Sequence, residues 1–212
     1  MPHAHSTAPS FLTHHRNPLP IDGGALEKLL AAAGVSAQHA GGDFAGGQCG
    51  DTRLGLKCTN LTGPGYLDFA GTFDLIHANW GLHDLADYGP TLPQLPLSVY
   101  GSNLETIYGR LAKRGKQIMW TATTPCPDVP TSYNRTYDSV IAYNKEALAA
   151  LTRANGGTPP AVNDLWSDFI AHCGERYKSC DLQLPANVHL TQKGIDFAAA
   201  SAAKAILAAL GL

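Results

Sequence analysis

The chain has 212 residues, of which 44% are hydrophobic and 15% charged, and its formal net charge is −2. This length is sufficient for one domain with a sizeable core. No apolar run reaches the ~18 residues needed to cross a bilayer, so no membrane span is expected. The weak negative charge and the lack of a basic block argue against nucleic acid as a partner.

The first twenty residues are rich in His, Pro and Ser. They have neither the basic start nor the apolar centre of a signal peptide, so no signal peptide is visible. Residues 1–20 are therefore expected to form an irregular leader, and residues 21–212 the folded domain. A start site displaced from the true one is the alternative explanation of this composition.

Helical and strand patterns alternate along the remainder of the chain. In chain order we predict a helix over residues 25–33, a strand over 35–39, a strand over 73–80, a helix over 98–113, a strand over 117–122, a helix over 137–151, a strand-like segment over 161–165 leading into a helix, and a last helix over 191–210. This alternation predicts an α/β fold with a mainly parallel sheet that is covered on both faces. Ligands of such folds bind at the carboxyl ends of the strands.

The chain has five cysteines, which cannot all pair with one another. Cys173 and Cys180 enclose one short polar loop, and Cys49 and Cys58 enclose another. Two local disulfides are therefore predicted, with Cys126 left over.

Two triplets match the acceptor pattern for N-glycosylation, Asn60-Leu61-Thr62 and Asn134-Arg135-Thr136. Such triplets are common by chance, but here they occur together with predicted disulfides. The combination favours a secreted protein or another extracytoplasmic compartment.

Three segments carry residues that are typical of a hydrolytic site. Residues 79–84 follow a predicted strand and include His83, and residues 48–56 include Gly50. His189 stands just ahead of the last predicted helix. In an α/β chain, a histidine at that place is typical of the general base of a serine hydrolase.

These segments resemble three conserved blocks of the SGNH/GDSL hydrolases. Residues 73–85 resemble the third block of a subfamily that carries Gly-Leu-His-Asp, here residues 81–84, where most members carry Gly-x-Asn-Asp. Residues 48–56 are similar to the second block, whose glycine donates a backbone N–H, and residues 188–194 resemble the fifth block. The resemblance runs from about residue 34 to the C-terminus. It implies a flavodoxin-like three-layer α/β/α fold with strand order 2-1-3-4-5.

The resemblance also implies a chemistry, the hydrolysis of a small acyl ester such as an O-acetyl group on a carbohydrate. His189 matches the general base, and Gly50 and His83 match donors to the oxyanion of the tetrahedral intermediate. For His83 to donate, its tautomer must be fixed, and Asp84 or a main-chain carbonyl is expected to fix it. No cofactor is implied. No metal is expected either, because His77, His83 and His189 lack a nearby carboxylate or cysteine at the usual ligand spacing.

The pattern departs from the family at the general base. The family's fifth block places an aspartate three residues ahead of the histidine, and that position is Ala186 here. We expect a carboxylate from elsewhere, Asp164 or Asp181, or a backbone carbonyl, to orient the His189 ring. Loss of the orienting group lowers the rate of such enzymes without abolishing it.

The second departure concerns the nucleophile. The family's first block, an apolar strand running into Gly-Asp-Ser, is not found ahead of the helix at residue 25. Residues 11–13 are too short and too polar at their flanks to be that strand, and Thr52, Ser6 and Ser10 do not fit as nucleophiles. The nucleophile is therefore unknown, and the first strand is predicted to be missing or divergent.

Three explanations fit this departure: a gene model whose N-terminus is incomplete, a divergent segment that fills the strand position, or a non-catalytic relative. The first favours a serine esterase whose nucleophilic serine is missing from this chain as written. The third favours a catalytically inactive SGNH-like protein that binds its ligand without turnover. Whether the chain is an enzyme stays open at this point.

Overall fold

The computed structural model describes residues 10–14, 23–39, 50–60 and 72–212, and the structural statements below concern these residues. Strands and helices alternate along them. In chain order they are β1 (Ser10–His14), α1 (Gly23–Ala32), β2 (Ser36–His39), α2 (Thr52–Cys58), β3 (Phe73–Ala78), α3 (Leu97–Leu111), β4 (Gly115–Thr121), α4 (Tyr137–Ala154), β5 (Ala161–Asn163), α5 (Leu165–Cys173) and α6 (Gln192–Leu210).

The five strands form one parallel sheet in the order β2-β1-β3-β4-β5. Residues of α3 and α4 pack with one face of this sheet, where Ile76 and Trp120 are buried. Residues of α1 and α6 pack with the other face, where Leu75 and Met119 are buried. The predicted three-layer α/β/α fold with a mainly parallel sheet is therefore confirmed.

β1 occupies the interior of the sheet. Phe11 lies opposite Ala37 of β2 and Leu75 of β3. The expectation that residues 11–13 are unsuitable as a strand is therefore wrong, and so is the prediction of an irregular leader where it covers Ser10–His14. Five residues are an ordinary strand length, and pairing on both sides satisfies backbone groups whatever the flanking sequence. The divergent segment is the explanation that this topology matches.

A buried polar group of three side chains joins neighbouring strands on the face that packs with α1 and α6. His77, Thr121 and Asn163, which we call the polar trio, come from β3, β4 and β5. The His77 Nε2 atom lies 2.5 Å from the Thr121 hydroxyl and 3.3 Å from the Asn163 amide nitrogen. Burial lowers the pKa of His77 to about 3, so the ring is neutral and accepts these bonds.

One predicted disulfide, Cys173–Cys180, is present, and Cys126 is a buried free thiol. Both findings confirm the sequence prediction. Cys58 is also disulfide-bonded, whereas Cys49, its predicted partner, lies outside the described residues. None of the helices described is long and apolar enough to cross a membrane.

Candidate active site

The carboxyl end of β3 turns sharply, and two contacts to the neighbouring strand define the turn. Asn79 donates from Nδ2 to the Thr121 carbonyl oxygen at 2.7 Å. Gly81 has a φ of 152°, and a Cβ atom at this position would lie 2.6 Å from the Thr123 hydroxyl oxygen. A side chain at position 81 would therefore push the turn, and the histidine that follows it, away from β4.

The segment with Gly50 is bonded to the segment with His83. Asp84 is fully buried, and its Oδ1 atom accepts from the Thr52 backbone N–H at 2.8 Å and from the Thr52 hydroxyl at 2.5 Å. Asn103 of α3 donates to the same hydroxyl at 3.0 Å. Because Thr52 is fully buried and committed to these bonds, its hydroxyl is unsuited to act as a nucleophile.

The electrostatics of Asp84 follow from its burial. Desolvation raises the pKa of Asp84 to about 7, against the opposing effect of the bonds from Thr52. Among the described residues, its second oxygen, Oδ2, has no hydrogen-bond partner. Asp84 therefore connects the turn after β3 to the start of α2, and no described bond of Asp84 supports the expectation that it fixes the His83 tautomer.

His83 is instead bonded to Tyr88. The His83 Nδ1 atom lies 2.7 Å from the Tyr88 hydroxyl oxygen, and the two rings are nearly parallel, at 12°. Arg135 donates to that same hydroxyl oxygen at 2.9 Å and to the Leu82 carbonyl oxygen at 2.9 Å. A buried guanidinium therefore holds both the neighbour of His83 in sequence and its partner in space.

His189 lies at the start of α6. Thr191 is the N-cap of that helix and accepts from the Gly194 N–H at 3.2 Å, as the sequence predicts. A Cβ atom at position 194 would collide with the Leu182 carbonyl oxygen, so glycine is required for this close packing. The His189 backbone N–H donates to Asn187 Oδ1 at 3.1 Å. Together these contacts fix the backbone of the segment that carries the His189 imidazole.

The His189 ring, in contrast to its backbone, has no hydrogen bond within the described part of the chain. The ring is half-buried, and burial lowers its pKa, with a further lowering by the positive charge of Arg135. Ala186, at the position where the family carries aspartate, has a φ of 50° and offers only a methyl group.

The two carboxylates proposed to orient His189 are engaged elsewhere. Asp164 is the N-cap of α5, where it accepts from the Ser167 N–H at 3.1 Å. Asp181 pairs with Lys193 and lies 2.9 Å from His172 Nε2. The prediction that Asp164 or Asp181 orients the base is therefore corrected, because each carboxylate satisfies a local bond.

Asp181 also belongs to a small cluster of groups that can bind metal. Atoms of His172, Cys180 and Asp181 lie within 4.8 Å of one another. The Cys180 sulfur is part of the disulfide, so it does not offer a thiolate.

One cavity is lined by sequence neighbours of the two site histidines. Leu82 and Val188, the residues directly ahead of His83 and His189, both line a cavity of about 80 Å³ at the carboxyl ends of β3, β4 and β5. Gly50 joins this region through the bonds between Thr52 and Asp84. The segments that the resemblance to SGNH/GDSL hydrolases indicates therefore carry a hydrogen-bonded imidazole, His83, and an imidazole of lowered pKa, His189.

The sequence that follows β1 bears on the nucleophile. From His14 to Val35 the chain contains no serine, threonine or cysteine. In a parallel α/β sheet, catalytic groups come from the residues that follow the carboxyl ends of strands. The connection from β1 to α1 therefore supplies no hydroxyl or thiol nucleophile.

Two residues of this site, Tyr88 and Arg135, are not predicted as site residues from the sequence. Tyr88 lies in a Pro-rich loop, and Arg135 lies inside a glycosylation triplet. An arginine next to an asparagine and a threonine is usually an exposed residue, yet this one is only 5% exposed. No local signal in the sequence marks it, because its partners are about fifty residues away.

Comparisons with known proteins identify solved structures with a similar fold. No family model and no curated protein sequence matches the chain. Among solved structures, a GDSL-like lipase from Bacteroides thetaiotaomicron VPI-5482 is similar over 94% of this chain and 87% of its own, with 15% identity and a TM-score of 0.59. The acetyl xylan esterase AlAXEase is similar over 93% of this chain and 99% of its own, with 13% identity and a TM-score of 0.61.

The W215I variant of Axe2, an acetyl xylan esterase from Geobacillus stearothermophilus, is similar over 96% of this chain and 94% of its own, with 13% identity and a TM-score of 0.65. The chain therefore has the fold of GDSL-type esterases. The similar structures support the resemblance to SGNH/GDSL hydrolases that three sequence blocks indicate.

Proposed function

We propose that this chain is an SGNH-type carboxylic ester hydrolase that acts on small acyl esters, such as an O-acetyl group on a carbohydrate. The observation that carries this proposal is the bonding of the Gly50 segment, through Thr52, to the carboxylate next to His83. That bonding connects the two segments that carry the proposed oxyanion donors, which supports a shared role for them. The cavity of about 80 Å³ that Leu82 and Val188 line has a size that favours a small acyl group over a long chain.

The proposed chemistry uses one base and two donors. The backbone N–H of Gly50 and a ring N–H of His83 stabilise the oxyanion, each contributing on the order of 3 kcal/mol. His189 removes the proton of the attacking group and returns a proton to the leaving alcohol. The lowered pKa of His189 keeps the imidazole neutral at pH 7, as a base must be.

The attacking group in this proposal is water. No hydroxyl or thiol is present between His14 and Val35, and Thr52 is bonded to Asp84. An oxyanion hole and substrate binding alone accelerate such reactions by roughly 10³- to 10⁴-fold over water. We therefore expect slow turnover without a covalent acyl-enzyme.

A second candidate is an inactive SGNH-like protein that binds an acylated carbohydrate without turnover. The same missing nucleophile favours it, together with Ala186 in place of the orienting aspartate. Retention of the cavity is common to both candidates.

Turnover and covalent labelling separate these functions. The purified chain is incubated with p-nitrophenyl acetate and with acetylated xylooligosaccharides, and separately with a fluorophosphonate whose adducts are mapped by mass spectrometry. We expect slow release of acetate that is lost in His189→Ala, and no adduct. His172→Ala, which changes an exposed histidine outside the cavity, is the matched control.

Other outcomes are equally informative. A labelled serine would replace the water mechanism with a recruited nucleophile. A folded sample that binds the acetylated oligosaccharide in calorimetry but releases no acetate would assign the second candidate.

We also propose that the protein is located outside the cytoplasm. The Cys173–Cys180 disulfide supports an oxidising compartment. Mass spectrometry of the protein isolated from its source, before and after reduction, tests this placement, because a cytoplasmic protein would carry free thiols at both positions.

A further inference from the structure

A histidine at position 83 poses a problem that an asparagine there does not. The amide nitrogen of asparagine is always a donor, whereas a neutral imidazole has one donor nitrogen and one acceptor nitrogen. Which nitrogen carries the hydrogen is decided by the partner of the other nitrogen. Donation to an oxyanion therefore requires a device that selects one tautomer of His83.

Arg135, Tyr88 and His83 form a chain of hydrogen bonds that can select one tautomer. Arg135 lies 2.9 Å from the Tyr88 hydroxyl oxygen through Nη2, and that oxygen lies 2.7 Å from His83 Nδ1. A guanidinium has five donor N–H groups and no acceptor, so the Tyr88 oxygen must accept from Arg135. The single phenol hydrogen is then available for donation to His83 Nδ1.

The placement of Arg135 strengthens this ordering. Arg135 is 5% exposed, and its guanidinium carbon lies 5.8 Å from the centre of the Tyr88 ring and 5.3 Å from that of Tyr133. A second donation, from Nε to the Leu82 carbonyl oxygen, fixes the guanidinium relative to the peptide ahead of His83. A phenol that accepts from a buried cation is a stronger hydrogen-bond donor than a phenol in water.

We propose that Arg135 and Tyr88 are positioning residues that hold His83 as the tautomer with its hydrogen on Nε2. Arg135 donates to Tyr88, Tyr88 donates to Nδ1, and Nε2 becomes the donor that the oxyanion requires. This inference rests on the proposed function for its purpose, since it explains how a histidine serves as an oxyanion donor. Its geometry does not depend on turnover, and its test does not either.

The opposite direction of the bond between His83 and Tyr88 also satisfies both groups. The two directions can therefore be tested against each other. If His83 donated from Nδ1, the Tyr88 oxygen would accept from two donors, and Nε2 would be a lone-pair acceptor. An acceptor at Nε2 would repel an oxyanion. The two orderings place the imidazole hydrogen on different nitrogens, which NMR distinguishes directly.

The experiment records long-range ¹H–¹⁵N correlations of the full chain labelled with ¹⁵N-histidine, near pH 7. His83→Asn assigns the signals of position 83 by their disappearance. We expect a protonated Nε2 and an unprotonated, hydrogen-bonded Nδ1 in the wild type. In Tyr88→Phe we expect the Nδ1 shift to move towards that of a free imidazole, with a mixture of both tautomers.

Tyr133→Phe is the matched control, because Tyr133 packs against the same guanidinium and the same Tyr88 ring without a hydrogen bond to His83. It should leave the His83 pattern unchanged. Arg135→Gln should shift His83 in the same direction as Tyr88→Phe. Should Arg135→Gln fail to fold, Tyr88→Phe alone still decides, since it removes one hydroxyl from a half-buried residue.

A wild type with its hydrogen on Nδ1, or a Tyr88→Phe spectrum identical to the wild type, would overturn the inference. Its failure is distinguishable from failure of the proposed function. The predicted tautomer without any ester turnover removes only the function, and turnover with the opposite tautomer removes only the positioning role. If turnover is present, Tyr88→Phe should lower kcat by less than the ~100-fold that loss of a whole oxyanion donor costs, with KM little changed.

Discussion

The two histidines of the site are held in very different ways. His83 has a hydrogen-bonded ring partner, and that partner is bonded to a buried arginine that also holds the preceding peptide. His189 has a well-fixed backbone, but within the described residues its ring has no hydrogen bond, and Ala186 stands where an orienting carboxylate is expected. Under the proposed function, this difference means that the side of the site that stabilises the oxyanion is well ordered, whereas the side that drives nucleophilic attack lacks its orienting group.

The largest expected effect on turnover comes from loss of the His83 donor to the oxyanion. His83→Ala should reduce ester turnover by about 100-fold, because one oxyanion donor is removed. His83→Asn restores a donor of similar reach and should recover most of that loss. Initial rates with p-nitrophenyl acetate check this, and equal rates for the two variants would mean that His83 does not donate to the intermediate.

The second prediction concerns the link between the Gly50 and His83 segments. The pKa of Asp84 is raised to about 7 from an unfolded value near 3.9, so the folded state binds an extra proton between these pH values. This group therefore makes the fold less stable as pH rises from about 4 to about 7. His77 has the opposite effect, because its pKa is lowered to about 3 and its neutral form stabilises the fold as pH rises to about 6.5.

Asp84→Asn removes one of these opposing effects and keeps the shape of the side chain. We expect the free energy of unfolding of this variant, relative to the wild type, to increase by about 2 kcal/mol between pH 4.5 and pH 7. Urea unfolding followed by tryptophan fluorescence at several pH values measures it. Asp164→Asn, at an exposed helix cap, is the control, and a difference that does not change with pH would contradict the raised pKa.

The third prediction concerns a variant designed to orient the His189 ring. Ala186→Asp introduces a carboxylate at the position where the family carries one, and aspartate tolerates a φ of 50° well. Its charge should raise the pKa of His189 and increase turnover severalfold. NMR titration of His189 and rate measurements test both effects. Ala186→Asn has the same backbone preference without the charge, and an equal pKa in both variants would show that the carboxylate does not reach the ring.

The smallest expected effect is that of the Arg135 charge, next to Tyr88, on the pKa of His189. The positive charge of Arg135 contributes to the lowered pKa of His189, after the larger effect of burial. Arg135→Gln should therefore raise the pKa of His189, by less than Ala186→Asp does. The same NMR titration detects it. Lys145→Gln, which removes a charge from the opposite side of the sheet, should leave that pKa unchanged, and equal shifts in both variants would indicate a general charge effect.

Much of the fold was predictable from local patterns. The helix predicted over residues 98–113 is Leu97–Leu111, and the strand predicted over 73–80 is Phe73–Ala78. Their apolar spacing reflects burial, which both segments have. The Cys173–Cys180 disulfide was predictable as well, because the two cysteines are separated by only seven positions.

What could not be predicted depends on contacts between distant residues. β1 is a short segment with polar ends, and its strand conformation is supported by pairing with β2 and β3 on both sides. Tyr88 meets Arg135 across 47 positions. Asp164 was wrongly assigned to the base because its sequence position, just after a strand, suits both a catalytic carboxylate and a helix cap.

The polar trio of His77, Thr121 and Asn163 has a consequence for strand alignment. Side chains alternate between the faces of a sheet, so a shift of β4 by one residue relative to β3 would carry Thr121 to the opposite face. His77 would then be buried without the hydroxyl that now bonds it, at a cost of about 1–3 kcal/mol. Aliphatic side chains in the same places would tolerate the shifted pairing more easily. The trio therefore selects one alignment of three neighbouring strands, β3, β4 and β5, from several that the hydrophobic pattern alone would allow.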